Sequence, residues 1–220
     1  MALNKLKFNS LNVTPTAGKA VGFNSSANGL EATLEGGSMR FIKKLTASSS
    51  ANLSFVNGSS DVVLDNTYKE YLFIINNIHP QNDGGYFYVN FSADTGSNYN
   101  VTKTTSTFKA RHGEDDSGGA LSYVSGTDLA QGTGNQPIAL DGVGNANDES
   151  TSGYLHLFNP SSTTFIKHFI IASNADIGNA NCVTSFVAGY CNTTSAIDAV
   201  QFVQQSGNLD AGTITLYGIN

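Results

Sequence analysis

Alternating residues mark the middle of the chain as a long β-hairpin. Across 154–158 neighbouring side chains point to opposite sides, with Leu155 and Leu157 on one of them, and this period of two is typical of a strand. A second apolar and β-branched run follows at 163–172. Between the runs, Pro160 fixes its φ at about −65° and favours a tight turn. The apolar side of this hairpin is expected to nucleate the core. The opposite side carries Tyr154, His156 and Phe158.

Further runs of this kind extend over most of the chain after residue 39. Strands are predicted at 40–47, 52–56, 68–78, 86–91, 101–110, 121–124, 183–190, 199–204 and 213–217, with a short one at 61–64. Clusters of Gly, Pro, Asn and Ser separate them, and no stretch has the spacing of an amphipathic helix. The runs 68–78 and 86–91, which a Pro-containing loop joins, resemble the central hairpin and are predicted to form a second hairpin beside it.

This pattern predicts an all-β protein. About ten short strands separated by turns favour a jelly-roll-like antiparallel β-sandwich, or a related barrel. We expect residues 39–220 to form it as a single domain, and a chain of 220 residues is long enough for one large β domain. Charged residues make up only 13% of the chain, which agrees because strands disfavour Asp, Glu and Lys.

Residues 1–38 differ from the rest of the chain. They carry isolated apolar residues among Gly, Ser, Asn and Thr, without a helical stripe or a long alternation. One interpretation is a partly ordered tail, and the other is an extended N-terminal arm that becomes ordered by lying on a partner. The spaced apolar residues favour the anchoring arm, because a pure linker does not need them. The candidate partner-binding residues are Leu6, Phe8, Leu11 and Val13.

The charge balance argues against several partners. The chain has 11 Lys and Arg against 17 Asp and Glu, a net charge of −6. Nucleic acid is therefore not expected as a partner, because phosphate binding needs clustered Lys and Arg. No apolar run approaches the roughly 20 residues of a membrane helix, so no membrane insertion is expected. The first residues lack the apolar core of a secretion signal, which predicts synthesis and retention in a cytoplasm.

Candidate metal ligands fall into three groups. His156 and His168 lie on opposite arms of the central hairpin, but His in a strand is more often structural than a ligand. His112 precedes an acidic, Gly-rich loop of a kind that is usually solvated. A third group offers oxygen ligands for calcium but does not match D-x-[DN]-x-[DN]-G, so an Asn/Asp/Gly turn is favoured. Its members are Asp141, Asn145, Asp148 and Glu149. We predict no metal and no other cofactor.

Catalytic motifs are absent from the sequence. There is no G-x-S-x-G, and Gly142-x-Gly144 lacks the rest of a dinucleotide fingerprint. Cys182 and Cys191 have no local base, so we expect either small structural hydrophobes or one strand-spanning disulfide. A carboxylate pair for glycoside hydrolysis stays open, since its spacing is set in three dimensions. We therefore predict that the chain has no catalytic residues and is not an enzyme.

Five segments carry a resemblance to a known group of proteins. They are FIKKLTASSSANLSF, YLFIINNIHP, VNFSADTGSNYNVTKTT, GYLHLFNPSSTTFIKHF and FVAGYCNTTSAIDAVQFVQQSGNLDAGTITLYGI. Over residues 40–219 the chain resembles virion structural proteins of marine tailed bacteriophages, which are described as head-decoration or tail-fibre-like proteins. FNSSANGLEA in the arm resembles the start of several of them. The resemblance implies a virion part that is assembled in the host bacterial cytoplasm, and it transfers no catalytic or metal-binding residue.

Three functions follow as hypotheses. The first is a non-enzymatic virion structural protein on the particle surface, a head decoration, cement or fibre-like protein anchored through the arm. Its partners are its own copies, as a homotrimer, and major capsid or tail proteins. The second is a tail-fibre or spike protein that recognises a host surface glycan or protein receptor through loops 79–85, 111–119 and 125–152. The third is a sugar-degrading depolymerase, which needs two convergent carboxylates in a groove.

Overall fold

A computed structural model describes residues 20–24, 26, 28–34, 38–178 and 180–220. Contacts divide the chain between Arg40 and Phe41, two residues beyond the predicted boundary between 38 and 39. All regular elements in the described ranges are strands. Accordingly, no helix there is long and apolar enough to cross a membrane.

The first unit contains a two-stranded antiparallel hairpin that the sequence pattern did not predict. β1 (Ala20–Phe23) pairs with β2 (Leu30–Leu34), and the Asn24 N–H donates to the Gly29 carbonyl at 2.9 Å. The Asn24 side chain closes the turn by accepting from the Asn28 N–H at 3.1 Å. The predicted anchor residues lie outside the described residues. They are Leu6, Phe8, Leu11 and Val13.

Twelve further strands follow in the chain. They are β3 (Met39–Thr46), β4 (Leu53–Val56), β5 (Glu70–Pro80), β6 (Phe87–Ser92), β7 (Lys103–Gly113), β8 (Ala120–Tyr123), β9 (Gln136–Pro137), β10 (Thr151–Phe158), β11 (Lys167–Ile177), β12 (Asn181–Cys191), β13 (Ala199–Gln204) and β14 (Leu209–Ile219). One sheet has the order β3-β14-β5-β10-β11-β12-β7-β8 and the other β4-β13-β6-β9. The all-β, antiparallel sandwich expected from the sequence is confirmed.

The strand order is that of a jelly roll with two insertions. β3, β4, β5, β6, β9, β10, β13 and β14, counted in chain order, give 1-8-3-6 in the large sheet and 2-7-4-5 in the small one. This alternation between two facing sheets is the double Greek key of a jelly roll. We call these eight strands the jelly-roll core. β7, β8, β11 and β12 are inserted between them and widen only the large sheet, and we call them the extension.

The central hairpin lies where it was expected. β10 pairs with β11, and the two strands occupy the middle of the large sheet. Leu155 and Leu157 are completely buried, whereas Tyr154 on the opposite side is exposed. They face the space between the two sheets, which aromatic rings fill. The ring centroid of Phe202 on β13 lies 5.6 Å from that of Phe73 on β5 and 6.2 Å from that of Phe55 on β4.

Three local expectations were wrong. The runs at 68–78 and 86–91 do not form a hairpin, since β5 pairs with β10 and β14 while β6 pairs with β13 and β9 in the other sheet. Residues 61–64 form no strand, since Asp61 ends a turn and residues 62–64 are irregular, although Val62 and Leu64 are buried. The connection 125–152 is partly interior: it contains β9, and Ile138 and Leu140 are completely buried.

Candidate interaction surfaces

The extension buries polar groups beneath β7 and at one end of β11 and β12, whereas Phe169, Ile171 and Val187 on these two strands belong to the hydrophobic core. The register places Lys167, Cys191 and Lys103 side by side on β11, β12 and β7, all facing inward and all completely buried. The Lys103 ammonium donates to Asn90 Oδ1 at 2.6 Å and to the Val101 carbonyl at 2.7 Å. Burial lowers the pKa of Lys103 to about 8, because the charged form loses its hydration.

Hydroxyl and amide groups continue this interior along β7. Thr105 Oγ1 donates to Gln136 Oε1 at 2.8 Å and accepts from the Leu129 N–H at 2.8 Å. Thr107 Oγ1 lies 2.9 Å from Thr127 Oγ1. The connection 125–137 thus covers the inner side of β7. Its polar groups form hydrogen bonds with the buried Thr side chains of β7, as buried polar groups generally do.

The cysteines lie at opposite ends of β12 and are both free. Cys182 is exposed and Cys191 is buried, and the nine residue steps between them along the strand span about 30 Å. A disulfide between them is therefore excluded. Burial raises the pKa of Cys191 to about 12, which keeps its thiol neutral and unreactive.

The opposite side of the extension is aromatic and exposed. Register pairs align Tyr154, Ala172, Phe186, Phe108 and Tyr123 in one row across five strands. The Phe108 and Phe186 rings stack with centroids 5.0 Å apart, and their side chains remain 44% and 39% exposed. We call the outward side of these strands over residues 152–158, 168–174, 184–190, 104–110 and 121–123 the outer aromatic face. Its other members are Ser152, His156, Phe158, His168, Ile170, Asn174, Thr184, Ala188, Tyr190, Thr104, Ser106, Ala110 and Leu121.

A shallow groove of about 460 Å³ crosses this face. Phe158, His168, Ile170, Ala188 and Tyr190 line it together with Thr104 and Ser106. No member of the outer aromatic face is Asp, Glu, Lys or Arg, in a chain that has 28 such residues (11 plus 17). An apolar surface that is continuous across several strands is typical of an interaction site.

A second surface is formed by loops at one end of the sheets. Asp83, Arg111 and Asp141, one from each of the three predicted recognition loops, line one cavity of about 290 Å³. The Gly84 N–H donates to the Val143 carbonyl at 3.0 Å, which ties two of these loops together. We call this end the loop rim. Residues 125–137 do not contribute to these contacts, because they run beside β7.

The loop rim is acidic. The pKa of Asp176 is raised above its usual value, first by burial and then by the nearby carboxylates of Glu114, Glu149 and Asp148. A neighbouring cavity of about 730 Å³ is lined by Arg111, Glu114 and Asp115 among others. The rim thus offers carboxylates, amides and one guanidinium to a polar ligand.

Three of the four calcium candidates are separately engaged. Both carboxylate oxygens of Asp141 accept from Lys109 Nζ at 2.6 Å. Glu149 Oε2 accepts from the Ala146 N–H at 2.6 Å, and Asn145 donates to the Gln81 carbonyl. Asp148 belongs to the same loop. Within the described residues, no group of three or more His, Cys, Asp and Glu side chains is arranged to hold a metal ion.

The histidines of the central hairpin are diagonal neighbours rather than a facing pair. His156 lies opposite Ile170, and its Nε2 is 2.9 Å from the Glu70 carboxylate. His168 instead contacts Tyr190, with ring centroids 6.0 Å apart. His112 lies 3.3 Å from Asp116 in the exposed β7–β8 loop. Each histidine therefore has its own neighbour, as the structural interpretation expects.

Comparisons with known proteins give no relative. No protein-family model, no curated protein and no solved structure matches the chain. The proposed function therefore depends on the fold and the surfaces described above. Sequence reasoning did not find the outer aromatic face, although Phe108, Phe186 and Tyr123 were visible in predicted strands, because their alignment in one row depends on non-local register.

Proposed function

We propose that the chain is a non-enzymatic structural protein of a bacteriophage virion, displayed on the particle surface as a head-decoration, cement or fibre-like protein. The observation that carries this proposal is the jelly-roll strand order, 1-8-3-6 facing 2-7-4-5. Jelly rolls build viral capsid proteins, lectins and cupins, so the fold alone leaves several functions open.

The interior and the surface of the sandwich favour a structural member of this group. Phe55, Phe73 and Phe202 fill the space between the sheets of the jelly-roll core, where another jelly roll could hold a ligand cavity. The uncharged outer aromatic face is suited to protein contact. The resemblance to phage virion proteins agrees with both features.

Locating the chain on intact particles tests the proposal. We would fuse a tag to the C-terminus and image phage particles by cryo-electron microscopy or gold labelling. Density over the whole head lattice would identify a decoration or cement protein, and density at the tail or vertices a fibre. Absence from purified particles would contradict the proposal.

Anchoring through the arm has its own test. Deletion of residues 1–38 should leave folded protein, judged by its circular dichroism spectrum, that no longer joins the particle. The control replaces residues 1–38 by a Gly/Ser segment of the same length, which keeps the spacing but removes Leu6, Phe8, Leu11 and Val13. Full incorporation of either variant would refute the anchor.

Receptor recognition by the loop rim is the second candidate. It is supported by the convergence of Asp83, Arg111 and Asp141 on one cavity. Purified protein should then bind host cells and compete with phage adsorption, and Arg111→Ala should reduce binding while Lys43→Ala on β3 should not. Absence of binding to any host surface or glycan array would remove this candidate.

A further inference from the structure

The outer aromatic face is large enough to form a stable contact. Five strands spaced about 4.8 Å apart are about 24 Å wide, and four rows of same-side residues extend about 27 Å along them. The flat area is therefore about 650 Å², close to the roughly 800 Å² that each partner contributes to a standard protein interface. A partner that covers the whole face is therefore expected to be a protein.

Charge favours another copy of this chain as that partner. The chain has a net charge of −6, so two copies repel each other wherever their acidic surfaces meet. The outer aromatic face itself bears no Asp or Glu: Asp176 is the next outward residue along β11, at the loop rim, and Glu70 and Asp128 border the face at His156 and Tyr123. Two copies that meet through the centre of this face therefore bury apolar surface, and the carboxylates stay at its border.

Shape favours the same partner over a glycan. A flat sheet packs well against another sheet at a separation of about 10 Å, as in β-sandwiches. Glycan platforms need hydroxyl and amide groups beside their rings, but those next to Phe108 and Phe186 are engaged within the sheet: Asn174 donates to Thr184 Oγ1 at 3.3 Å and Ser106 Oγ donates to the Ala188 carbonyl at 3.5 Å. The Tyr123 hydroxyl likewise donates to Asp128 at 2.6 Å. The centre of the face is therefore better suited to apolar side chains.

We infer that the outer aromatic face is a homotypic interface, in which two copies pack face to face about a two-fold axis close to the stacked Phe108–Phe186 pair. A two-fold contact is isologous, so each Phe186 meets the corresponding region of the second copy. This inference goes beyond the proposed function and holds whether or not the chain is a virion protein. It also predicts a dimer in place of the homotrimer expected from the sequence.

Sedimentation velocity of the full chain tests the inference. From about 1 to about 100 μM, mass action should convert monomer to a species with the mass of two copies. Phe186→Glu should weaken association by about 100-fold or more, because a buried unpaired carboxylate is placed at the axis. Phe165→Glu is the matched control. Phe165 is 69% exposed but lies in the β10–β11 connection, outside the outer aromatic face, so the Phe165→Glu protein should dimerise like the unchanged chain.

A second variant keeps the test decisive if Phe186→Glu does not fold. If Phe186→Glu loses its native circular dichroism spectrum, Ala188→Glu places the same charge two residues along β12 on an exposed small side chain. A species of one or three copies for the unchanged chain, or a dimer that these variants leave intact, would overturn the inference.

Complementary charges identify the second copy directly. Phe186→Glu and Phe186→Lys should each be monomeric alone, and their equimolar mixture should regain the dimer because opposite charges then meet at the axis. Monomeric protein that binds an oligosaccharide through Phe186 would overturn the homotypic interface and indicate a glycan site. Monomeric protein found on phage particles would overturn the inference while leaving the proposed virion function intact.

Discussion

The jelly-roll core and strand β7 of the extension use the two sides of the same sheet in opposite ways. In the core, Phe73 and Leu155 point between the sheets and are completely buried. In β7 of the extension, Lys103 and Thr107 take the buried positions and Phe108 faces outward. Both regions alternate with a period of two, so the comparison shows that alternation defines two sides of a strand without saying which is interior.

The difference follows from what covers each region. The core is covered by β4, β13 and β6, whose inward side chains are apolar apart from Gln204. Strand β7 is covered by the connection 125–137 and by Asn90, whose carbonyl and amide groups need hydrogen-bond partners. Lys and Thr on β7 supply those partners, and the outward rings of Phe108 and Phe186 remain available for contact with another molecule.

Truncation of a core aromatic residue should have the largest effect. Phe202→Ala removes the ring that contacts Phe55, Phe73 and Phe87, and should lower the free energy of unfolding by about 3–5 kcal/mol. Urea denaturation followed by circular dichroism measures the change. Phe165→Ala, at an exposed position, should change it by less than about 0.5 kcal/mol. Equal effects of the two variants would contradict the assigned core.

Removal of a buried hydroxyl in the extension should have an intermediate effect. Thr105→Val has nearly the same shape but leaves the Leu129 N–H and Gln136 Oε1 without the Thr105 hydroxyl, which should cost about 1–3 kcal/mol. The neighbouring Ser106→Ala, on the outward side, serves as the control for the same denaturation experiment. A stabilised Thr105→Val protein would show that this interior is not polar.

The buried Lys103 should make stability depend on pH. Its pKa of about 8 in the folded protein is below the value of 10.5 for an unperturbed lysine, so the unfolded chain binds more protons between these values and stability increases with pH. Above pH 9.0 the Cys191 thiol opposes this trend, because its pKa is raised to about 12 on folding and only the unfolded thiol ionises.

The clearest window is therefore between pH 8 and 9, where the free energy of unfolding should rise by about 1 kcal/mol. Lys103→Met should remove most of this rise. Urea denaturation at several pH values measures both proteins. An unchanged pH dependence in Lys103→Met would show that Lys103 does not titrate as described.

Truncation on the outer aromatic face should have the smallest effect on an isolated chain. Phe186→Ser removes a stacked but partly exposed ring, and should cost about 0.5–1 kcal/mol when measured below the concentration at which the chain associates. The losses in the free energy of unfolding for Phe186→Ser and for Phe202→Ala compare the two regions directly. A loss as large as that of Phe202→Ala would place Phe186 in the core and contradict the outer aromatic face.

Much of the strand pattern was predictable because it is local. The run 199–204 coincides with β13, and the alternation in 154–158 placed Leu155 and Leu157 inward as observed. The loops 79–85 and 111–119 also meet at one cavity, lined by Asp83 and Arg111, whereas recognition by them stays a prediction. β1, β2 and β9 were missed, since a hairpin in a Gly- and Asn-rich segment and a two-residue strand have almost no periodicity to detect.

The sequence by itself determined that this protein is all-β, where most strands lie, and that its turns fall at Gly, Pro and Asn. Tertiary structure alone decided that β5 and β6 belong to different sheets and that the Thr side of β7 is buried while Phe108 is exposed. The physical reason is that strand propensity and alternation act over a few neighbouring residues, whereas the choice of pairing partner and of the interior side depends on distant segments that meet only when the sandwich closes.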